Sequence, residues 1–334
     1  MATVQILTTA GYNTALGIAK ETTYGTAVAP VVYMPFKTHN MAITNKLINN
    51  MAVRKSKGMA APGIGTVDIA GSIDTYVDAD SIGWLLGGSM GTDTVTASGA
   101  YYAHTMKLGG PLNSFTISCD DSQGSVSQYT GCKVNQLDIS VKPGDFLDVK
   151  FAVMGQTDVV LANSSLSPTF STKPFFEYAH LGSAAGGSSV LAGVTLNVVD
   201  FTISLKNNLK AHNASTGGRF VVGIDEQNAS VDGTFTINYD SSLGDFINQQ
   251  LWGTSTGPAP GLIARVPLTF TFTEAASSII QFTCGNITVS EATVTRSKNS
   301  VLTQSVKFSA SESQTGAADD LKIVLINSTS TPFV

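Results

Sequence analysis

The sequence predicts a mainly β fold made of two tandem copies of a β-sandwich or barrel-like module, each with one short α-helix. Three observations predict it. Apolar and polar side chains alternate at a period of two, turn signals bracket those runs, and the second half of the chain resembles the first in order. The 334 residues, 43% hydrophobic and 13% charged, suffice for about two ordinary domains.

The clearest strand lies between residues 67 and 78. Val67, Ile69, Ile73, Thr75 and Val77 fall on one side, and Asp68, Ser72, Asp74, Tyr76 and Asp78 on the other, as a half-buried strand requires. Ile82, Leu85 and Leu86 then take helical spacing. Further on, Leu137, Ile139 and Val141 alternate with Asp138 and Ser140. Lys142-Pro143-Gly144-Asp145 turns the chain, and Leu147, Val149, Phe151 and Val153 return with Asp148 and Lys150 between them. This is a β-hairpin pattern.

The repeat organises the rest. VDIAGSIDTYVDADSIGWLLGGSMG, from Val67, lines up with SVDGTFTINYDSSLGDFINQQLWG, from Ser230, so that Gly71 meets Gly233 and Asp78 meets Asp240. Leu243, Phe246 and Ile247 repeat the helical spacing. MAITNK, from Met41, matches FTISLK, from Phe201. FTISCDD, from Phe115, matches IQFTCGN, from Ile280, bringing Cys119 to Cys284. DVKFAV, from Asp148, matches SVKFSA, from Ser305. The order is kept and the offset nearly constant, as duplication of a whole domain demands. The expected domains are 1–170, with an N-terminal arm, and 171–334, joined in the Ser-, Gly- and Pro-rich stretch around 160–190. Each should hold roughly six to eight strands and one helix. Two polar, poorly periodic stretches, from Ile48 and from Asn207, are candidate arms reaching a neighbouring subunit.

Several function classes are disfavoured. Net charge is −5 with pI near 5.3 and the basic residues are scattered, so no stripe exists to neutralise a phosphate backbone. The start lacks a basic segment followed by a long apolar run, and no stretch approaches 18 consecutive apolar residues, so no membrane insertion is expected. Cys119, Cys132 and Cys284 lack C-x-x-C spacing and read as buried residues of a reducing compartment. His39, His104, His180 and His212 have no metal-binding spacing. With neither a nucleophile elbow nor a phosphate-binding loop, the sequence predicts no catalytic residue, cofactor or metal. Asp74, Asp78 and Asp80 lack the glycine and terminal Glu of a calcium loop and read as a solvated strand face. A carbohydrate-binding or hydrolytic sandwich would need clustered exposed aromatics. Only Trp84 and Trp252 are available, and Trp84 sits in an apolar helical segment where burial is expected. Low charge with abundant Ser, Thr and Asn suggests a surface meant for other protein.

One segment is more specific. Gly17, Ile18, Lys20, Glu21, Tyr24, Gly25, Thr26, Ala27 and Pro30 form a G-I-x-K-E-x-x-Y-G-T-A-x-x-P motif that resembles the opening of major tail tube proteins of long, flexible-tailed (siphovirus-type) bacteriophages. The resemblance implies a structural, non-enzymatic virion protein that assembles in the host cytoplasm into stacked rings, forming the tail tube that conducts DNA into the host cell. The alternative is another self-assembling β-rich virion component, a decoration or fibre protein. The partners implied are the chain itself, as a trimer with pseudo-sixfold symmetry or as a hexamer, together with tape-measure and tail terminator or baseplate proteins. DNA would pass through the lumen without specific binding. Inter-ring contact candidates are Lys20, Glu21, Tyr24, Arg54, Lys55 and Lys57. Lumen-lining candidates, on polar strand faces, are Asp68, Asp74, Asp78, Asp138, Asp148, Asp232 and Asp240, whose charge would disfavour phosphate.

Overall fold

The computed structural model describes residues 11–52, 57–58, 61–122, 124–254, 257–258, 264–296, 298, 301–312 and 319–334. Among them the N-terminal half forms β1 (Ala15–Lys20), β2 (Val32–Tyr33), β3 (Thr38–His39), β4 (Ala42–Ile48), β5 (Gly63–Tyr76), α1 (Gly83–Met90), β6 (Gly91–Ser98), β7 (Tyr101–Leu108), β8 (Phe115–Asp120), β9 (Ser125–Val141), β10 (Asp148–Gly155) and β11 (Thr157–Ala162). The C-terminal half forms β12 (Ser188–Leu191), β13 (Val194–Thr195), β14 (Val198–Lys206), β15 (Lys210–His212), β16 (Gly223–Asp225), β17 (Ser230–Asn238), α2 (Ser241–Trp252), β18 (Val266–Ala275), β19 (Ser278–Thr295), β20 (Thr303–Ala310) and β21 (Lys322–Asn327). The fold is mainly β, as the alternation predicts. The strands outnumber the six to eight expected per half because two- and three-residue pieces, β2, β3, β13, β15 and β16, form in stretches without alternation. No helix among the described residues is long and apolar enough to cross a membrane.

The strands form two layers. In the first, one continuous antiparallel sheet runs β4–β5–β10–β9–β14–β17–β20–β19, with β3 prolonging β4 along β5. The second layer is β2–β1–β8–β9–β11 in the N-terminal half and β13–β12–β18–β19–β21 in the C-terminal half, which β7 and β6 of the N-terminal half extend beyond β21. The inward residues of both layers make one core. It includes Ile73, Val149, Phe151, Leu137 and Ile139 from the first four strands and Ile203, Phe235, Val306 and Phe308 from the next four. Phe201 stacks on Phe270 with centroids 4.1 Å apart, a parallel contact of two large buried rings.

Strands β9 and β19, 17 and 18 residues long, belong to both layers. Each bends at a bulge. Asn135 has no partner between Val153–Val134 and Ala152–Gln136, and Ser290 has none between Phe308–Val289 and Lys307–Glu291. A further irregularity follows in each, between Phe115 and Ile117 on β8 and between Val266 and Leu268 on β18. The extra residue bends the strand and raises its twist, which lets one strand leave the first layer and enter the second.

Cross-strand partners revise the sequence matches. FTISCDD forms β8 whereas IQFTCGN lies in β19, so Cys119 and Cys284 occupy different places in their halves. β4 and β14 do hold the same place, as do β10 and β20, but two residues away from the sequence match. Ile43 opposite Ile69 corresponds to Leu205 opposite Val231, and Phe151 opposite Ile73 to Val306 opposite Phe235.

Helix α1 carries four glycines, counting its cap, a poor composition by propensity, and is held by packing. Gly83 and Gly87 face the C-terminus: a Cβ on Gly83 would fall 2.3 Å from the Phe333 ring, and one on Gly87 2.9 Å from Val334. Trp84 is half-buried, edge-on to Phe333 at 5.7 Å. Helix α2 buries Ile247 and is capped by Asp240, whose carboxylate accepts the Ser242 N–H. The segment 163–187 holds two short 3-10 turns and is tied to the N-terminal half, the Leu147 N–H donating to Phe176 O and the Phe176 N–H to Val77 O.

Candidate assembly surfaces

The outward face of the first layer is polar across all eight strands. One cross-strand row reads Thr38, Asp74, Lys150, Asp138, Ser204, Asp232, Ser309 and Thr288, and crosses the β9–β14 junction without interruption. A neighbouring row carries Tyr76, Asp148, Ser140, Thr202, Thr234, Lys307 and Glu291. Asp68, Asp74, Asp138, Asp148 and Asp232 therefore share a single face.

Asp78 and Asp240 do not belong to that face. The Asp78 carboxylate is buried and accepts the N–H groups of Asp80 and Ser81 at 2.9 and 2.8 Å, so it closes the turn into α1 and is withdrawn from any lumen. Asp240 caps α2. Bonds from the Ser242 hydroxyl and N–H hold its carboxyl below the usual carboxylate range. A strand-period reading extended two residues too far places both on the polar face, whereas the chain has already turned.

The face is also less acidic than the aspartates alone suggest. Lys46 pairs with Asp68, Lys37 with Asp148, Lys150 with Asp74 at 3.7 Å and Lys307 with Glu291 at 2.6 Å. Lys307 keeps the Glu291 carboxyl below its usual range. The Lys46, Lys37 and Lys150 pairs are half exposed and each contributes about 0–1 kcal/mol to stability; the larger effect of all four is to cancel charge. Asp138 instead accepts from the Ser204 hydroxyl at 2.6 Å and from the Gln136 amide at 2.9 Å. Lys150 and Lys307 stand on the same polar alternation as the carboxylates they pair with, which is the sequence signal for this cancellation.

The motif of residues 17–30 is internal architecture. β1 lies between β2 and β8, with Leu16 and Ile18 fully buried. Pro30 folds back over Gly17, where a Cβ would lie 2.6 Å away. Glu21 is 6% exposed, and four donors converge on it: the Gly25 N–H and Ser114 hydroxyl on Oε2 at 2.8 and 2.7 Å, the Gly131 N–H and Thr116 hydroxyl on Oε1 at 2.8 and 3.0 Å. Gly25 turns at φ +74°, a conformation that suits glycine. Burial, helped by the Glu21 charge, pushes the Tyr24 phenol up to about 12. Glu21 is thus spent inside the chain, which corrects its reading as a contact side chain. Lys20 and Tyr24 are half-buried and Lys57 is exposed; Arg54 and Lys55 lie outside the described residues.

The arm from Asn207 folds back on its own chain. Its β15–β16 ribbon brings Arg219 to β5, Nε donating to Gly65 O at 3.0 Å, and Lys133 pairs with Glu226 at 2.8 Å. Among the described residues, no three His, Cys, Asp or Glu side chains are grouped to hold a metal ion. The three cysteines are buried and unpaired, and burial raises Cys119 and Cys284 to about 12 and Cys132 upward. His104, wholly buried, lies 2.9 Å from both Asp93 Oδ2 and Thr329 O. Burial lowers its pKa, but the Asp93 and Thr329 bonds outweigh that and the net direction is upward.

Among the described residues the outer edges of β4, β11 and the second part of β19 carry no strand. Ile43, Leu47 and Ile48 on β4 and Val159, Val160 and Leu161 on β11 are exposed. A broad polar sheet face bounded by unpaired edges offers backbone groups to which further strands can pair. Residues 11–310 match the family model of the phage tail tube protein, far beyond the opening motif, and the chain belongs to that family. It is accordingly a structural component of the bacteriophage tail tube. A comparison with curated proteins found no match.

Proposed function

We propose that the chain is a duplicated tube module, 1–170 and 171–334, that polymerises into stacked rings through which DNA leaves the virion. The observation that carries this reading is the eight-strand sheet. Its two halves share strand order and bulge positions, it is joined in its middle by β9 and β14, and it is open at both ends.

Closure sets the stoichiometry. Three chains bring about 24 strands at roughly 4.8 Å spacing, which at a tilt near 40° gives a barrel roughly 45–50 Å across between backbones. Allowing about 5 Å of side chain per wall leaves a bore near 35–40 Å, ample for a duplex about 20 Å wide; two chains leave only about 20 Å. A trimer with pseudo-sixfold symmetry is the smallest closed ring that admits the duplex.

The polar face forms the wall of the bore. Lys37, Lys46, Lys150 and Lys307 are engaged by carboxylates and the rest of the face is mostly Ser, Thr, Asp138 and Asp232 with Lys206 as its exposed cation, so little there holds a phosphate while the duplex slides. The ends of the stack meet tape-measure, terminator and baseplate proteins, and assembly takes place in the host cytoplasm. Electron microscopy of the purified protein tests the reading: stacked rings of three chains and uniform bore are expected. Isolated knobs or solid fibres would overturn it in favour of a decoration or fibre protein.

A further inference from the structure

The two open edges of the first layer are related by a junction that the chain already contains. There β9 meets β14 with Leu137 opposite Leu205, Asp138 opposite Ser204 and Ile139 opposite Ile203. β4 holds in the N-terminal half the place that β14 holds in the C-terminal half, so Ile43 corresponds to Leu205 and Ala42 to Ser204. By the shared bulge, Ala292, Thr293 and Val294 on β19 correspond to Leu137, Asp138 and Ile139.

Burial differs sharply between these counterparts. Leu205, Leu137 and Ile139 are 0% exposed, while Ile43 is 41% exposed and Ala292 and Val294 are only half-buried. The second layer repeats the asymmetry. β21 is covered by β7 from the N-terminal half, with Ile323 0% exposed; its counterpart β11 is bare, with Val160 58% exposed. The N-terminal half therefore exposes apolar side chains at the same two edges where the C-terminal half is covered by the N-terminal half. The surface that fits those edges is one the chain itself supplies, which makes the occupant a second copy.

Resting on the ring reading, we infer that β4 of one chain joins β19 of a second copy in the register of the internal junction: Met41 opposite Val294, Ala42 opposite Thr293 and Ile43 opposite Ala292. A polar clasp accompanies it. In the internal junction the Asn207 amide donates to Ser89 O and Val134 O, both at 3.0 Å. Its counterpart is another asparagine, Asn45, which is exposed. Asn45 Oδ1 accepts from Arg219 at 2.7 Å, and among the described residues nothing takes up its NH2 group. In the ring that group donates to Val289 O of the second copy.

Ser204 and Asp138 touch at 2.6 Å in the internal junction, so the pair Ala42→Cys with Thr293→Cys should form an intermolecular disulfide on mild oxidation, the native cysteines being buried. We expect a covalent ladder on non-reducing gels ending in a closed trimer. Thr44→Cys with Thr295→Cys, four residues out of register, should give about tenfold less. The reverse ranking, or rings visible by microscopy without the first crosslink, overturns the register while leaving the ring reading intact. A wild-type chain that stays monomeric in sedimentation at every concentration overturns both. Independently, Asn45→Asp should raise the concentration needed for assembly about tenfold with the monomer's urea midpoint unchanged; assembly equal to wild type removes the clasp.

Discussion

Glu21 offers a sharp test of what the N-terminal motif does. Among the described residues no cation pairs with its carboxylate, which is stabilised by four donors, two of them backbone N–H groups that cannot turn away. In Glu21→Gln one oxygen becomes an NH2. The Ser114 or Thr116 hydroxyl on that side can rotate and accept, but the Gly25 or Gly131 N–H is left facing another donor. An unmet buried donor costs about 1–3 kcal/mol. Because the neutral amide is also cheaper to bury, about 1–3 kcal/mol is the expected net loss. Glu21→Ala strands both N–H groups and should cost about 2–5 kcal/mol, a large share of the roughly 5–15 kcal/mol available to a domain. Urea unfolding of the unassembled chain measures this as a lower midpoint at constant slope. If both variants unfold within about 0.5 kcal/mol of the parent yet fail to stack, Glu21 is a contact residue after all and the internal reading is wrong.

Four further outcomes follow from the same geometry. The folded pKa of His104 lies above its ordinary value, so its contribution to stability is full below about 6.5 and is lost as pH rises through the folded value; urea midpoints across that range should fall in the parent and flatten in His104→Gln. Phe333→Ala should cost about 3–4 kcal/mol, and Gly83→Ala, which drives a methyl into that ring, should cost less in the Phe333→Ala background than alone, as a double-mutant cycle would register. Asp78→Ala should lower stability by about 2–3 kcal/mol through two stranded N–H groups, and Asp240→Ala, at an exposed cap, by clearly less; equal effects in unfolding experiments would contradict the separation of the two aspartates. Replacing Asp68, Asp74 and Asp148 together by Asn frees three lysines on the proposed bore and should slow DNA release from particles without blocking assembly, whereas unaltered release kinetics would place that face away from the DNA path.

The fold was legible wherever a side chain's neighbours are its sequence neighbours. Alternation in β5, β9 and β10 names the buried side correctly, with Ile73, Leu137, Ile139, Val149 and Phe151 all in the core. The turn at Lys142–Asp145 closes as expected, Gly144 taking φ +83°. What sequence alone misplaces is register. A strand of period two slid by two residues shows the same faces, so DVKFAV fits SVKFSA as well by composition as the pairing that the neighbouring strands enforce. The cysteine match failed for a related reason: two alternating strands of one module resemble each other as much as they resemble their own counterparts. The candidate polar face is half legible. Asp68, Asp74, Asp138, Asp148 and Asp232 share one alternation, but nothing local marks Asp78 and Asp240 as caps, and Glu21 reads as a surface charge until the donors from β8 and β9 arrive around it. Those donors are about 90 and 110 residues away in the chain, beyond the reach of any local pattern.

An unpaired strand edge is an aggregation hazard that monomeric proteins blunt. Here β4 keeps Ile43, Leu47 and Ile48 exposed, while the opposite edge presents Ala292 and Val294 where the internal junction has Leu137 and Ile139. In the proposed ring, fusing modules in pairs makes half of the junctions intramolecular, so they form without the loss of translational freedom that each association costs. Those junctions can be large and permanent. The intermolecular ones are trimmed on one side by the smaller side chains of β19, which weakens chance pairing between free chains. Restoring the trimmed bulk tests this division: Ala292→Leu should promote association at lower concentration, seen by sedimentation, and should do so only while Ile43 is intact. Enhanced association that persists in Ile43→Ser would show that β19 recruits some other surface, and the division between permanent and trimmed junctions would then have no basis.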